Sequence, residues 1–330
     1  MLTAISVDKN KYHCIDSVFL TVANHFKREI GLMSVGSWGF DYQPNLVGAR
    51  TFGEKLQSGM VLPSREAVQR YHGIRVDWQE NVTWGELKSV INTHIKEKRP
   101  LGIYINGYNC PWNPVYHQVK VDHYCIVVGY DAKKKIYYCV DSYFSQGLKV
   151  YSLPEADLKD GFREYISFRL ETPVSSYSLR QIFQDVQLGE NDFFIRKTSF
   201  ENIERFGRDL SQELDIDLEM KNCKGEIETA RLYRQFIQYS QRRQNFADAL
   251  IFLRSNAYDV TTQMAVNLEF VIDEFNKISK MWKNMAMLMI KLLLTKKDIV
   301  LEKMGDVMEQ IAKNELKLLE NTIDIGRMKT

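Results

Sequence analysis

From Val174 to Thr330 the sequence has no proline and no histidine: all seven prolines lie between Pro44 and Pro173, and all six histidines at or before His123. Thirteen of the eighteen glycines also precede Pro173. Proline and glycine punctuate turns and break helices, so their loss predicts an α+β half followed by an all-helical half. The boundary falls in Glu171-Thr172-Pro173-Val174-Ser175-Ser176, which gives domains 1–173 and 174–330. A charge excess is also lacking. The 44 basic and 42 acidic side chains leave a formal charge of +2, far from the surplus that tracks phosphates, so nucleic acid is not expected as a partner. No apolar run approaches the length of a membrane span, and Met1 to Asp8 lacks the cationic-then-apolar pattern of a secretory signal. Five cysteines (14, 110, 125, 139 and 223) form an odd set without a disulfide rhythm. A cytoplasmic protein with free thiols, away from membranes, is the expectation.

Ile15, Val18, Phe19, Val22, Ala23, Phe26 and Ile30 recur at helical spacing up to Gly31, an expected C-cap, and so put Cys14 at the start of a buried helix. A second helix is expected from Thr83 to Lys98, stopped by Pro100. Strands are expected at Leu101–Asn106, Tyr124–Tyr130, Ile136–Val140 and Tyr165–Leu170, with a long loop over Gly107–Asp122 and a five-residue turn, Asp131–Lys135. The second half predicts helices over Ile227–Arg254, Val260–Leu294 and Lys297–Ile325. Met281, Met285, Met287 and Met289 read as helical core, and Arg242-Arg243 and Lys296-Lys297 as solvated faces, docking of an acidic carrier being the alternative for the basic pairs.

A thiol nucleophile needs a lowered pKa and a base. The first turn of a helix offers unpaired N–H groups and the positive end of the dipole, which Cys14 has by position. With a five-residue turn, Cys125 stands opposite Asp141 and His123 is its diagonal neighbour on the same face, so the carboxylate can orient the imidazole. Cys14, His123 and Asp141 are therefore the expected catalytic residues. Cys125 and Cys139 read as core. Zinc held by Cys110, His117, His123 and Cys125 is disfavoured, because no pair has the short Cys-x-x-Cys spacing, and no metal is expected.

The segments His123-Tyr124-Cys125-Ile126-Val127-Val128-Gly129-Tyr130-Asp131 and Tyr138-Cys139-Val140-Asp141-Ser142 resemble the papain-like superfamily, specifically its bacteriocin-leader peptidases. His13-Cys14 and the run Gly36-Ser37-Trp38-Gly39-Phe40-Asp41-Tyr42 are similar to the group typified by the N-terminal domain of the butirosin biosynthesis protein BtrH. The resemblance covers about the first 170 residues. It implies a papain-like N-terminal domain and a secondary-metabolite acyltransferase. An acyl group would leave the phosphopantetheine thioester of an acyl or peptidyl carrier protein, pass through acyl-Cys14 and reach a small amine, or a diamine as in amide-forming enzymes of the closthioamide type. No cofactor is implied beyond the carrier's own arm. The alternatives are a cysteine peptidase or amidase of the leader-processing type, and a catalytically silent docking scaffold. The helical half is assigned to a lid, to carrier docking or to homodimerisation.

Leader peptidases carry a glutamine shortly before the cysteine to complete the oxyanion hole, whereas this chain offers Asp8, Lys9, Asn10, Lys11 and Tyr12. Asn10 is the candidate second donor. Trp38, Phe40 and Tyr42, with Trp112 and Tyr116 of the long loop, are candidate substrate contacts, packing of that loop onto the sheet being the other reading of Trp112.

Overall fold

A computed structural model describes residues 2, 4–57, 59–145, 149–186, 193–221, 223 and 227–328. Its elements run α1 (Cys14–His25), β1 (Asp41–Tyr42), α2 (Phe52–Lys55), β2 (Leu56–Gln57), α3 (Ser64–His72), β3 (Ile74–Glu80), α4 (Trp84–Lys96), β4 (Leu101–Asn106), β5 (Asp122–Asp131), β6 (Ile136–Val140), β7 (Val150–Pro154), α5 (Glu155–Gly161), β8 (Glu164–Leu170), α6 (Leu179–Asp185), α7 (Phe193–Glu213), α8 (Ile216–Met220), α9 (Arg231–Asn256), α10 (Thr262–Thr295) and α11 (Asp298–Arg327). An antiparallel-sheet region is thus followed by a helical one. The chain divides into two compact units, residues 1–30 with 68–174, and residues 31–67 with 175–330. The expected 1–173 domain is corrected in this respect: Gly31–Ala67 groups with the helices.

The first unit is built on a six-stranded antiparallel sheet in the order β3-β8-β4-β5-β6-β7. One face packs Ile103 and Ile105 of β4, Cys125 and Val127 of β5, and Tyr137 and Cys139 of β6 against Leu87 and Ile91 of α4 and Leu158 of α5. Across the sheet, α1 lies close at Gly102, where an added Cβ would stand 3.3 Å from Val18 Cγ1. Helix α1 stops at His25 rather than reaching Gly31, because Lys27 takes the left-handed conformation (φ 54°) and Arg28 N–H donates to Ala23 O at 2.9 Å. Helix α4 ends in the same motif at Lys98 (φ 55°). Gly73 (φ +63°) turns α3 into β3, where a side chain would meet Glu171 O at 2.6 Å.

The β5–β6 hairpin departs from its expected register and then returns to it. Its turn is one residue shorter, since Asp131 pairs with Ile136. A bulge between Val127 and Gly129 then adds a residue to β5, so that Val127 pairs with Cys139 and Ile126 with Val140.

In the second unit α9, α10 and α11 pack with α7 around an aromatic core. Helices α7 and α11 approach at Gly207 and Gly305: a Cβ on Gly207 would stand 2.6 Å from Met308 Cβ. The segment 31–67 joins this core through Trp38, whose ring lies 4.7 Å from that of Phe275, and Phe40, stacked 5.7 Å from Trp282. Tyr42 donates its hydroxyl to Asp209 at 2.8 Å. These three aromatics are buried interior, not the substrate wall expected of them. Their alternation along an extended segment puts large apolar rings where the helices need them, a pairing only visible in three dimensions. Arg243 is corrected as well. Far from being solvated, it is fully buried, with Nε and Nη2 donating to Glu315 Oε1 and Oε2, each at 2.8 Å, and Nη1 to Gly39 O at 3.0 Å. Trp38 and Trp282 complete the Glu315 carboxylate with indole N–H donors at 3.1 and 3.0 Å. Among the described residues no helix is long and apolar enough to cross a membrane.

Candidate active site

Cys14 is the first residue of α1, and Asp16 in the same turn accepts the N–H of His13 at 3.0 Å, which fixes the entry of the chain into the helix. Further along, Ser17 Oγ donates to Cys14 O (2.6 Å) and Thr21 Oγ1 donates to Ser17 O (2.6 Å). Since the Thr21 proton is committed there, Ser142 Oγ is the donor in its 2.6 Å bond to Thr21 Oγ1, while accepting Ile5 N–H at 3.1 Å. This hydroxyl chain ties the helix of Cys14 to the loop that follows β6.

His123 enters from β5 and Asp141 from the end of β6. The bulge decides whether they meet. Side chains alternate along a strand, and residues paired across a ladder share a face. Had the register at the turn (Tyr130 with Tyr137) run on unchanged, Asp141 would pair with Ile126 and face away from His123. With one extra residue in β5, the faces of His123, Cys125 and Val127 and of Tyr137, Cys139 and Asp141 coincide.

His123 Nε2 lies 2.7 Å from Asp141 Oδ2, and the Cys14 sulfur is near enough to act on the same ring. Both members of the His–Asp pair are buried, whereas Cys14 is half-buried. Burial opposes a charged imidazole, but the negative Asp141 carboxylate, its hydrogen bond and the Cys14 sulfur outweigh that penalty, and together they raise His123 to about 10. The site is therefore arranged to hold a proton on the imidazole at neutral pH, with Asp141 and Cys14 as its neighbours.

Asp141 is itself fully engaged. Oδ2 also accepts the indole N–H of Trp112 at 2.6 Å, and Oδ1 accepts the backbone N–H groups of Tyr143 (3.0 Å) and Phe144 (3.4 Å). Ser145 Oγ donates to Asp141 O at 2.7 Å. The rings of Tyr143 and Phe144 lie 6.2 and 5.1 Å from that of His123, and Lys9 Nζ sits over both, 5.5 and 4.7 Å from their centroids. Burial, then the Cys14 sulfur and Asp141, raise the Tyr143 phenol above its ordinary value. These two aromatics escaped sequence reasoning. The available signal was Asp141-Ser142-Tyr143-Phe144-Ser145, an aspartate heading a turn that folds back on its own carboxylate.

The remaining candidates are placed as follows. Asn10 commits both its N–H and its Nδ2 to Asp8 Oδ1 (2.9 and 3.2 Å) on an exposed turn. Trp112 meets the His123–Asp141 pair through Asp141, whereas Tyr116 donates to Asp157 on α5 (3.2 Å) and stacks on His117 at 3.8 Å. Cys110, Cys125 and Cys139 are buried free thiols. Among the described residues no group of three or more histidine, cysteine, aspartate and glutamate side chains is arranged to hold a metal ion.

Residues 11–169, just under half of the chain, match the model of the Peptidase_C39 like family, and the first unit has the fold of a papain-like cysteine peptidase. No curated protein matches the chain.

Proposed function

We propose that the chain is an acyltransferase that forms an amide, taking an acyl group from a carrier protein's phosphopantetheine thioester onto Cys14 and passing it to an amine. The observation that carries this reading is the buried His123–Asp141 hydrogen bond, with the Cys14 sulfur at the start of α1 acting on the same imidazole, in a papain-like setting that suits covalent thiol catalysis.

The Cys14 thiolate attacks the thioester carbonyl; the carbon–sulfur bond to the carrier breaks, and the departing pantetheine thiolate takes its proton from the His123 imidazolium. Acylation removes the sulfur charge that helped to hold that proton. Imidazole is thereby released as a base for the second half: it accepts a proton as the amine attacks, and the Cys14–acyl bond breaks to return thiolate. Asp141 fixes the tautomer throughout.

The state of Asn10 supports transfer over peptide cleavage. Its amide is held by Asp8 where leader peptidases use a glutamine, so the oxyanion has fewer side-chain donors. A thioester is already activated and tolerates that loss better than an amide does. The family match favours a second reading, a cysteine peptidase or amidase.

Intact-mass spectrometry after mixing with acyl-loaded carrier protein separates the two. The transferase reading expects an acyl adduct on wild type and none on Cys14→Ala, discharged by amines faster than by water. Cleavage of peptides without any carrier, and no adduct from any thioester, would establish the peptidase instead.

A further inference from the structure

The carboxylate that orients His123 has a second side-chain donor on the same oxygen. Trp112 Nε1 and His123 Nε2 stand 2.6 and 2.7 Å from Asp141 Oδ2. We propose that Trp112 is a positioning residue whose indole N–H shares Asp141 Oδ2 with His123 and so limits how tightly that carboxylate holds the imidazole proton. This rests on the reading of Cys14 and His123 as nucleophile and base, and goes beyond it by assigning the long β4–β5 loop a part in the chemistry.

Several features hold the indole where it is. Its ring stacks on Tyr151 of β7 with centroids 4.7 Å apart and planes at 23°. Cys110, two residues earlier, is fully buried, and the neck of the loop is closed by Gly107 N–H to Val121 O at 2.7 Å. The backbone donors from Tyr143 and Phe144 clamp Oδ1 independently, so loss of the indole N–H leaves the carboxylate in place and changes chiefly the charge that His123 meets at Oδ2.

A carboxylate oxygen with two donors spreads its charge between them; with one, it attracts that donor's proton more strongly. The consequence falls on the second half-reaction. There His123 must be neutral to accept the amine's proton, and each unit by which its midpoint rises lowers the neutral fraction tenfold. The groups facing His123 are Cys14, Asp141 and Tyr143, with the Lys9 ammonium over the Tyr143 and Phe144 rings and Asp122 preceding it on β5. Around Asp141 lie Cys110, Cys125, Cys139 and Tyr151. Burial raises Cys110, Tyr143 and Tyr151, and the bond to Cys139 together with burial raises Cys125.

The test compares wild type with Trp112→Phe and with replacement of Trp112 by β-(benzothiophen-3-yl)alanine, which keeps the shape of the indole and lacks the N–H. The imidazole nitrogens of His123 are followed by NMR from pH 6 to 11, and single-turnover discharge of acyl-Cys14 by an amine is followed over the same range. Both variants are expected to move the His123 midpoint upward by about one unit and to slow discharge about tenfold at pH 7.5, with the rate recovered at higher pH. In an Asp141→Asn background the same replacements are expected to change neither quantity further. An unmoved His123 midpoint in the folded benzothienyl variant, or a loss that is independent of pH and persists in Asp141→Asn, would overturn the proposal. The NMR midpoint does not require turnover: a protein that never acylates defeats the transferase reading and still reports whether Trp112 acts on His123.

Discussion

His123 reaches Asp141 because β5 carries one residue more than β6 over the stretch from their turn to the site. The bulge at Val128 exchanges the faces of β5: Tyr130 stacks on Tyr137 on one side of it, while Val127 is opposite Cys139 on the other. Deletion of Val128 removes the unpaired residue and leaves Val127 opposite Cys139, so that variant is expected to keep His123 facing Asp141 and its raised midpoint. Insertion of one residue between Tyr124 and Cys125 instead turns His123 to the other face; alkylation of Cys14 by iodoacetamide and NMR of His123 should then both lose their wild-type signature, with a fall in the proposed acyl transfer of roughly 10³-fold or more. A folded insertion variant that kept the His123 midpoint would show that strand alternation does not place the imidazole.

The proton on His123 has a stability consequence with a defined sign. Its folded-state value, about 10, lies above the ordinary 6.5, so the native state binds the extra proton between those limits. The resulting stabilisation is complete below about 6.5 and is lost as pH rises through about 10. Urea unfolding at pH 6, 8 and 10.5 should show this decline in wild type and a shallower one in Asp141→Asn, where the carboxylate that holds the proton is gone. Parallel curves for the two proteins would refute it.

Glu219 of α8 makes the opposite case for a carboxyl. Oε1 accepts the N–H groups of Phe52 and Gly53, yet burial dominates and raises the group to about 7. The folded state thus prefers the protonated form, and stability falls as pH rises from about 4.5 towards 7. Glu219→Gln keeps an acceptor for the two amides and removes the charge. It should be close to neutral at pH 5 and raise the melting temperature at pH 8, measured by calorimetry; a lower melting temperature at pH 8 would mean that the anion is what this site is built to hold.

The Arg243–Glu315 pair lies wholly within the second unit's core. Glu315→Ala strips a buried guanidinium and two indoles of their acceptor and is expected to cost about 3–5 kcal/mol in denaturant unfolding. Replacing both partners with apolar residues of similar volume should recover most of that loss, since the desolvation of two ions is then avoided. A double variant as unstable as the single one would identify the hydrogen bonds to Trp38, Trp282 and Gly39 as the dominant contribution.

The long helices α9 to α11, the strands β4, β5, β6 and β8, and the order of Cys14, His123 and Asp141 were legible in the sequence because each rests on local periodicity or on chain order. Helix α7 was not foreseen; Gly207 interrupts its middle for the sake of contact with α11, a reason that lies outside the segment. Strands β3 and β7 form the two edges of the sheet and carry the polar residues and the proline that edges favour, which weakens the apolar signal. The bulge left no mark that alternation alone reveals. The expected pairing of Cys125 with Asp141 nonetheless agrees with the ladder nearest the site, since a turn one residue too long and an unseen bulge offset each other. Trp112 read either as a substrate contact or as packing of its loop onto the sheet, because tryptophan in a loop carries no sign of which polar group its N–H will find.

The placement of Gly31–Ala67 with the helical unit has a consequence for how the protein is made. Synthesis proceeds from the N-terminus, so Trp38 and Phe40 leave the ribosome well before Phe206, Tyr239, Phe275 and Trp282, the rings they are built to meet. Strands β3 to β8 are all synthesised in that interval and can pair with one another as they emerge. The nascent chain therefore passes through a stage in which the sheet is complete while an aromatic segment threaded into the same polypeptide still waits for its partners, and it is there that a holding chaperone has most to protect.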